Sequence, residues 1–246
     1  MAWRILAYHG IPADSAGAFA RQLDHFLGQG WQSVGLSEGL RSAPSSRGRF
    51  LTVTFDDGQA TVCEVAQRVL DDRGIKGTLY LVTDYVARGQ TYRDARPDRA
   101  CSWEQLRNWL EAGHEIGSHT HTHVPLLDCP HDWYAEELER SRHVVQKRLG
   151  YRPLHFAYPY GSHDRTTYAR LKALGGWASA ATTERGTNGP GSDPLLLRRD
   201  LMEPHWSPGH VRLRLAVGAC PTLFRALRSL RLALAGYRRR LDTTVF

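Results

Sequence analysis

Four cysteines are all the chain has: Cys63, Cys101, Cys129 and Cys220, spread over 246 residues with no Cys-x-x-Cys pair among them. Without that spacing the commonest cysteine signature for redox or metal work is missing, and reduced thiols are the expected state, in keeping with a cytoplasmic location. Long apolar runs are missing as well. Nothing approaches the roughly 20 residues that span a bilayer. The opening stretch Met1-Ala2-Trp3-Arg4-Ile5-Leu6-Ala7-Tyr8-His9-Gly10 has too short an apolar core for an export signal and reads as a first strand. No internal repeat is visible. An aromatic content of 10% and a hydrophobic content of 41% argue against disorder. A chain of this length fits one α/β barrel or two small domains, and either can bury a large core.

Acid is scarce in one place. From Gly209 to Phe246 there are eight arginines and a single acid, Asp242, which accounts for the whole chain's net charge of +7. On a helical wheel Leu223, Leu227, Leu230, Leu234 and Tyr237 share one face, with Arg225, Arg228 and Arg231 away from it. Three readings stay open: a basic helix on anionic lipid, contact with an acidic or lipid-linked glycan, or a helix that packs on the body of the protein. Nucleic acid is not an expected partner, because no aromatic platform or recognition motif accompanies the arginines.

What the chain does have begins at Leu51-Thr52-Val53-Thr54-Phe55-Asp56-Asp57-Gly58. Apolar residues alternate with threonines, so this is a buried strand, and it stops on two adjacent carboxylates before a helical pattern at Val62, Val65, Ala66, Val69 and Leu70. In α/β folds ligands bind at that edge of the sheet, where one acid could act as a base and the other hold a metal. The pair could equally be turn residues that cap the next helix.

A second stretch tips the balance. His114-Glu115-Ile116-Gly117-Ser118-His119-Thr120-His121-Thr122-His123 holds four of the chain's twelve histidines. His119 and His123 share a face whether the backbone is helical or extended. Two imidazoles and a carboxylate such as Asp57 make a donor set suited to catalytic zinc. His121 stays open as a third ligand, a supporting residue or a bystander.

These residues resemble the motifs of the polysaccharide deacetylase family, the NodB-like metal-dependent carbohydrate esterases of family 4. Thr54-Phe55-Asp56-Asp57-Gly58 matches the first motif; His119, Thr120 and His123 match the second, His-Ser/Thr-x-x-His. The resemblance implies Asp56 as the general base, with Asp57, His119 and His123 holding one divalent metal, Zn2+ before Co2+ or Ni2+. It also implies an N-acetylated glycan as substrate: an amino-sugar polysaccharide, exopolysaccharide or lipid-linked precursor. Phe156-Ala157-Tyr158-Pro159-Tyr160-Gly161 matches the third motif in part, with Ala157 where many members carry the arginine that partners the base. In that loop the backbone N–H of Tyr160, after Pro159, is expected to help hold the oxyanion. His9, at the end of the first strand, is expected to line the site. A leaving amine needs a proton, and His205 in Glu203-Pro204-His205-Trp206 is the late-chain candidate for that acid, besides His210. A catalytically silent glycan-binding or scaffold protein of the same fold is the alternative.

Strand and helix patterns alternate along the chain: strands at 3–8, 51–55, 77–82, through the histidine stretch that follows Gly113, and at 177–182, and helices at 15–29, from Ser102 to Leu110, and at 164–174. Ser102 with Gln105 predicts a capping box. Asp132 is expected to cap a long helix that Gly150 ends. Residues 84–100 are a polar excursion near the mouth of the site. Repeated β-α units favour a parallel barrel, and the resemblance narrows this to a deformed, incomplete (β/α)7-8 TIM-like barrel. The expected organisation is a NodB-like domain over 1–208 and a basic amphipathic helical segment over 209–246, with peripheral membrane contact among its readings.

Overall fold

The strand around Leu51–Phe55 is the spine of a parallel sheet. In the computed structural model, which describes residues 2–42, 48–89, 91–92, 98–127 and 129–218, every residue from Phe50 to Phe55 is buried. The elements follow as β1 (Ala2–Tyr8), α1 (Ala16–Gly28), β2 (Gln32–Ser33), α2 (Leu36–Ser42), β3 (Arg49–Phe55), a π-helical turn (Val62–Ala66) running into α3 (Gln67–Asp71), and β4 (Gly77–Leu81). Then come α4 (Thr83–Arg88), β5 (Thr91–Tyr92), β6 (Asp98–Arg99), α5 (Trp103–Glu111), β7 (Glu115–Ser118), α6 (His131–Leu149) and β8 (His155–Ala157). The last are α7 (Arg165–Leu174), β9 (Ser179–Ala181), β10 (Asp200–Leu201) and α8 (Pro208–Gly218).

The main sheet runs β10-β1-β3-β4-β7-β8-β9 with β2 beside β3, all parallel. It curls into the incomplete barrel that the family resemblance implies. One segment closes it: Leu197 bridges in parallel to Ala181 of β9, and three residues later Asp200–Leu201 pairs with β1. Both free edges of the curl are thus tied by Leu197–Leu201.

Alternation along β3 sorts its side chains to two faces. Phe55 faces outward into an aromatic cluster with Tyr8, Phe19 and Trp109. Thr52 and Thr54 face the other way, and their hydroxyls donate to the carbonyls of Val34 and Leu6. On the inner side Trp3, Ile5, Phe50, Tyr80, Ala157 and Leu197 form one apolar cluster, which fills the barrel below the site.

The capping box is present: Gln105 N–H donates to Ser102 Oγ and Ser102 N–H to Gln105 Oε1, at the start of α5. One expectation changes. Asp132 is not the cap of α6; the helix begins at His131 after Pro130, with Asp132 inside its first turn, where a negative charge still suits the helix dipole. The polar stretch 84–100 contains α4 and the antiparallel pair β5–β6, and it returns beside the Asp-Asp-Gly turn through a bridge between Gln59 and Ala100. The short α2, which caps the barrel floor near Trp3, lacks a periodic pattern long enough to predict.

The chain divides into two compact units, Met1–Ser207 and Pro208–Phe246. Of the second, α8 is described, and the leucine face from Leu223 to Tyr237 lies outside the described residues.

Candidate active site

Four non-glycine residues among those described have left-handed backbone: Asp57 (φ 72°), Thr120 (φ 70°), His123 (φ 62°) and Tyr160 (φ 60°). Such backbone costs about 1–3 kcal/mol per residue and persists only where the surroundings enforce it. All four belong to the loops after β3, β7 and β8, at the C-terminal edge of the sheet.

The first loop sets two carboxylates. Asp56 continues the inward side of β3 after Thr52 and Thr54, and its N–H donates to Tyr8 O at 2.8 Å. Simple alternation would send Asp57 to the opposite face; its left-handed φ turns it back. Gly58 completes the turn at φ 87°, a left-handed backbone that favours glycine, and a Cβ there would press on Leu81 Cδ2 at 2.9 Å.

The second loop corrects an expectation. The histidines do not ride on a strand, because β7 ends at Ser118; His119–His123 is a loop bent at Thr120 and His123. Buried Glu137 of α6 holds this bend, accepting from the N–H groups of His121 (2.9 Å) and Thr122 (2.8 Å) and from the Thr122 hydroxyl. His123 N–H donates to Thr120 Oγ1 at 2.9 Å. The result brings His119 Nε2 and His123 Nε2 each to 3.6 Å from Asp57 Oδ1. One donor atom from each of the three residues lies within 4.8 Å of the others. His119 Nδ1 sits 2.8 Å from Ala157 O, so it carries the proton and leaves Nε2 as a lone-pair donor. Burial pushes the His119 imidazole down to about 3 against the pull of Asp56, which keeps it neutral. Two imidazoles and a carboxylate on one point fit a divalent cation.

His121 is not part of that set. Its Nδ1 pairs with Thr83 Oγ1 at 2.8 Å and its Nε2 turns toward Asp84. His114, the first of the run, stacks on Trp109 at 4.0 Å and accepts from Gly77 N–H, a core role.

The charge of Asp56 has a partner that sequence reasoning missed. Arg199, fully buried, donates from Nη1 to Asp56 Oδ1 at 2.7 Å and from Nη2 to Oδ2 at 2.9 Å. Its Nε donates to Thr182 O. Burial alone would raise the Asp56 carboxyl, but Arg199, through its charge and its hydrogen bonds, holds it down at about 2. His9 is exposed just past β1, close enough for its charge to act on Asp56.

The third loop supplies Pro159, buried, and Tyr160, whose ring is 62% exposed and lies 4.7 Å from the His123 ring. Gly161 (φ 68°) fixes its course: a Cβ there would fall 1.9 Å from Thr183 Oγ1. His205 is exposed on a segment set by buried Gln22, whose amide donates to the carbonyls of Glu203, Pro204 and Trp206 while accepting from Tyr8 OH. That segment runs beside the end of β1, but the structure assigns His205 no contact with the Asp57 cluster.

A family model described as polysaccharide deacetylase matches residues 44–177, more than half of the chain and all three loops. The chain belongs to the polysaccharide deacetylase family. A chitooligosaccharide deacetylase from Bradyrhizobium sp. (strain ANU 289) is 30% identical over 115 residues, 46% of this chain and 47% of that protein. Chitin deacetylase 1 of Cryptococcus neoformans var. grubii is 27% identical over 123 residues, 50% of this chain and 23% of that one. The chain thus matches less than half the length of these relatives. Among solved structures, that of IcaB from Ammonifex degensii superimposes with a TM-score of 0.77 at 27% identity, covering 87% of this chain and 97% of the other. The Streptococcus pyogenes deacetylase PplD, at 21% identity and a TM-score of 0.74, shares the fold. Within the polysaccharide deacetylase pattern, the arginine expected at position 157 is an alanine here. Ala157 orients His119 through its carbonyl, and Arg199 reaches Asp56 from the segment that closes the barrel.

Proposed function

We propose that this protein hydrolyses N-acetyl groups on an amino-sugar polysaccharide, exopolysaccharide or lipid-linked glycan precursor. The observation that carries the reading is an ionised, buried Asp56 beside the convergent donors of Asp57, His119 and His123. Those three residues would hold the divalent metal, Zn2+ before Co2+ or Ni2+, which when bound supplies Lewis acidity to the amide carbonyl and to water.

Asp56 takes the proton of the attacking water, and Arg199 keeps its carboxylate charged and aimed. The N–H of Tyr160 donates to the developing oxyanion, in a loop that its left-handed backbone presets. The exposed Tyr160 ring beside His123 offers a face for a sugar, with Pro159 beneath the loop and His9 along the wall. An amine leaves poorly unless protonated, and His205 is the late-chain candidate that would supply that proton. A glycan-binding or scaffold role that retains the metal cluster is the competing reading, but binding alone has no use for a base beside the cluster.

Basic residues in 209–246 support peripheral contact of that segment with anionic lipid, where a lipid-linked substrate would be met. Among the described residues no helix is long and apolar enough to cross a membrane.

The test is acetate release from a panel of N-acetylated glycans by the zinc-loaded protein, with and without chelator. Release that chelator abolishes and zinc restores is expected. Glycan binding without acetate release from any member would replace the enzyme reading by the silent one.

A further inference from the structure

The dithiol spacing absent from the sequence is present in space. Cys63, in the π-helical turn after the Asp-Asp-Gly loop, and Cys101, at the end of the returning excursion, have their sulfurs 3.3 Å apart. Both are free thiols. Cys101 is fully buried and donates to Gln59 O at 3.2 Å; Cys63 is half-buried and within reach of solvent. The backbone around Cys101 is pinned to the site loop, since Cys101 N–H donates to Gly58 O at 2.8 Å and Ala100 bridges Gln59. A disulfide needs its sulfurs about 2.05 Å apart, so closing the pair takes a little over an ångström. That movement falls on the Cys63 side, on a single wide turn of π-helix, a local feature that adjusts more readily than the pinned strand segment.

We propose that Cys63 and Cys101 are a reversible dithiol–disulfide site that clips the helix behind the Asp56–Asp57 loop to the Ala100–Ser102 segment. The oxidant is a low-molecular-weight disulfide. The Cys63 thiolate attacks one sulfur of that molecule and expels its first thiolate, leaving a mixed disulfide on Cys63. The Cys101 thiol gives up its proton, attacks Cys63 Sγ and expels the second thiolate. Two protein thiols are oxidised and one small disulfide is reduced to two thiols. Cys101 loses its bond to Gln59 O, and the covalent link replaces it as the tie between the two segments. The hydrogen bond with Cys63 and burial both push the Cys101 thiol up and keep it protonated until the mixed disulfide forms beside it, so Cys63 is the sulfur that a solvent oxidant meets first.

The experiment treats the folded full-length chain with oxidised glutathione, alkylates the remaining thiols and maps peptides by mass spectrometry. A Cys63–Cys101 linked peptide is expected, with two thiols lost per chain, reversal by dithiothreitol and a rise of a few degrees in Tm on oxidation. Cys63→Ser and Cys101→Ser each remove the link, and Cys63→Ser serves if Cys101→Ser does not fold. Glutathione left on Cys63 with Cys101 still alkylated would overturn the proposal. So would linkage to Cys129 or Cys220, or a Cys63–Cys101 link that forms only after unfolding in urea.

Discussion

Arg199 grips both oxygens of Asp56 across 143 positions of sequence, in a barrel whose two edges are sewn together by the segment that carries it. Closing the sheet and charging the base are therefore one structural event. Removing Arg199 leaves a buried carboxylate with no guanidinium, a change that costs about 3–5 kcal/mol in comparable buried pairs. Arg199→Met is expected to lower stability by that order and activity by about 10²-fold or more. Arg199→Lys, which keeps the charge but not the fork, should fall between.

The pH dependence has a definite sign. Asp56 is held at about 2, below its ordinary 3.8, so its contribution to stability is present above pH 3.8 and lost as pH falls toward 2. In Arg199→Met burial acts almost unopposed and pushes the carboxyl above its ordinary value. The acid limb of the rate profile should therefore move to higher pH in that variant. An acid limb identical to wild type, in a folded variant, would show that Asp56 is not the group whose ionisation the rate reports.

Asp56→Asn separates chemistry from metal binding, since it keeps size and loses the base. Elemental analysis should find metal near the wild-type content with most acetate release gone, whereas His119→Ala should lose both. Near-full activity in Asp56→Asn would require another base.

The two loops that carry the ligands were legible because their residues are rare in combination: adjacent acids at a strand end, and histidines at alternate positions. Their geometry was not legible. The sequence pattern suits a strand through His123, but the strand ends at Ser118, and Glu137, 16 positions from His121, holds the bend beyond it by accepting two backbone N–H groups. Arg199 was hidden for a different reason. It follows Arg198, and nothing local says which of two arginines enters a core; only the alternation of buried Leu197, exposed Arg198 and buried Arg199 carries that signal, on a segment too short to read as a strand. Ala157 drew attention to the place where the arginine was missing, not to where it had gone.

Glu137 yields its own test. Glu137→Gln keeps the shape but replaces one acceptor oxygen by a donor, facing groups that also donate. Zinc affinity, measured by competition with a chromogenic chelator, should fall by about 10- to 100-fold, the usual effect of loosening the support of metal ligands. Unchanged affinity would mean the loop is held without it.

Truncation before Pro221 addresses the arginine-rich tail. Eight arginines and one acid from Gly209 onward would give an attraction to anionic lipid of about 1 kcal/mol for each arginine near the surface, screened by salt over a Debye length of about 10 Å at 0.1 M. The full-length chain should sediment with anionic liposomes at low salt and be released as salt rises, and it should ignore neutral liposomes. Apolar contact alone has no such salt dependence. The truncated chain, keeping Met1–Ser207 and the described helix α8, should stay folded, hold zinc and act on short soluble glycans while losing most sedimentation, because six of the eight arginines are gone. Should truncation instead unfold the protein, the leucine face from Leu223 to Leu234 is core rather than membrane contact. If the full-length chain fails to sediment even at low salt, the lipid reading of the tail falls, and an acidic glycan becomes the next ligand to try in the same salt titration.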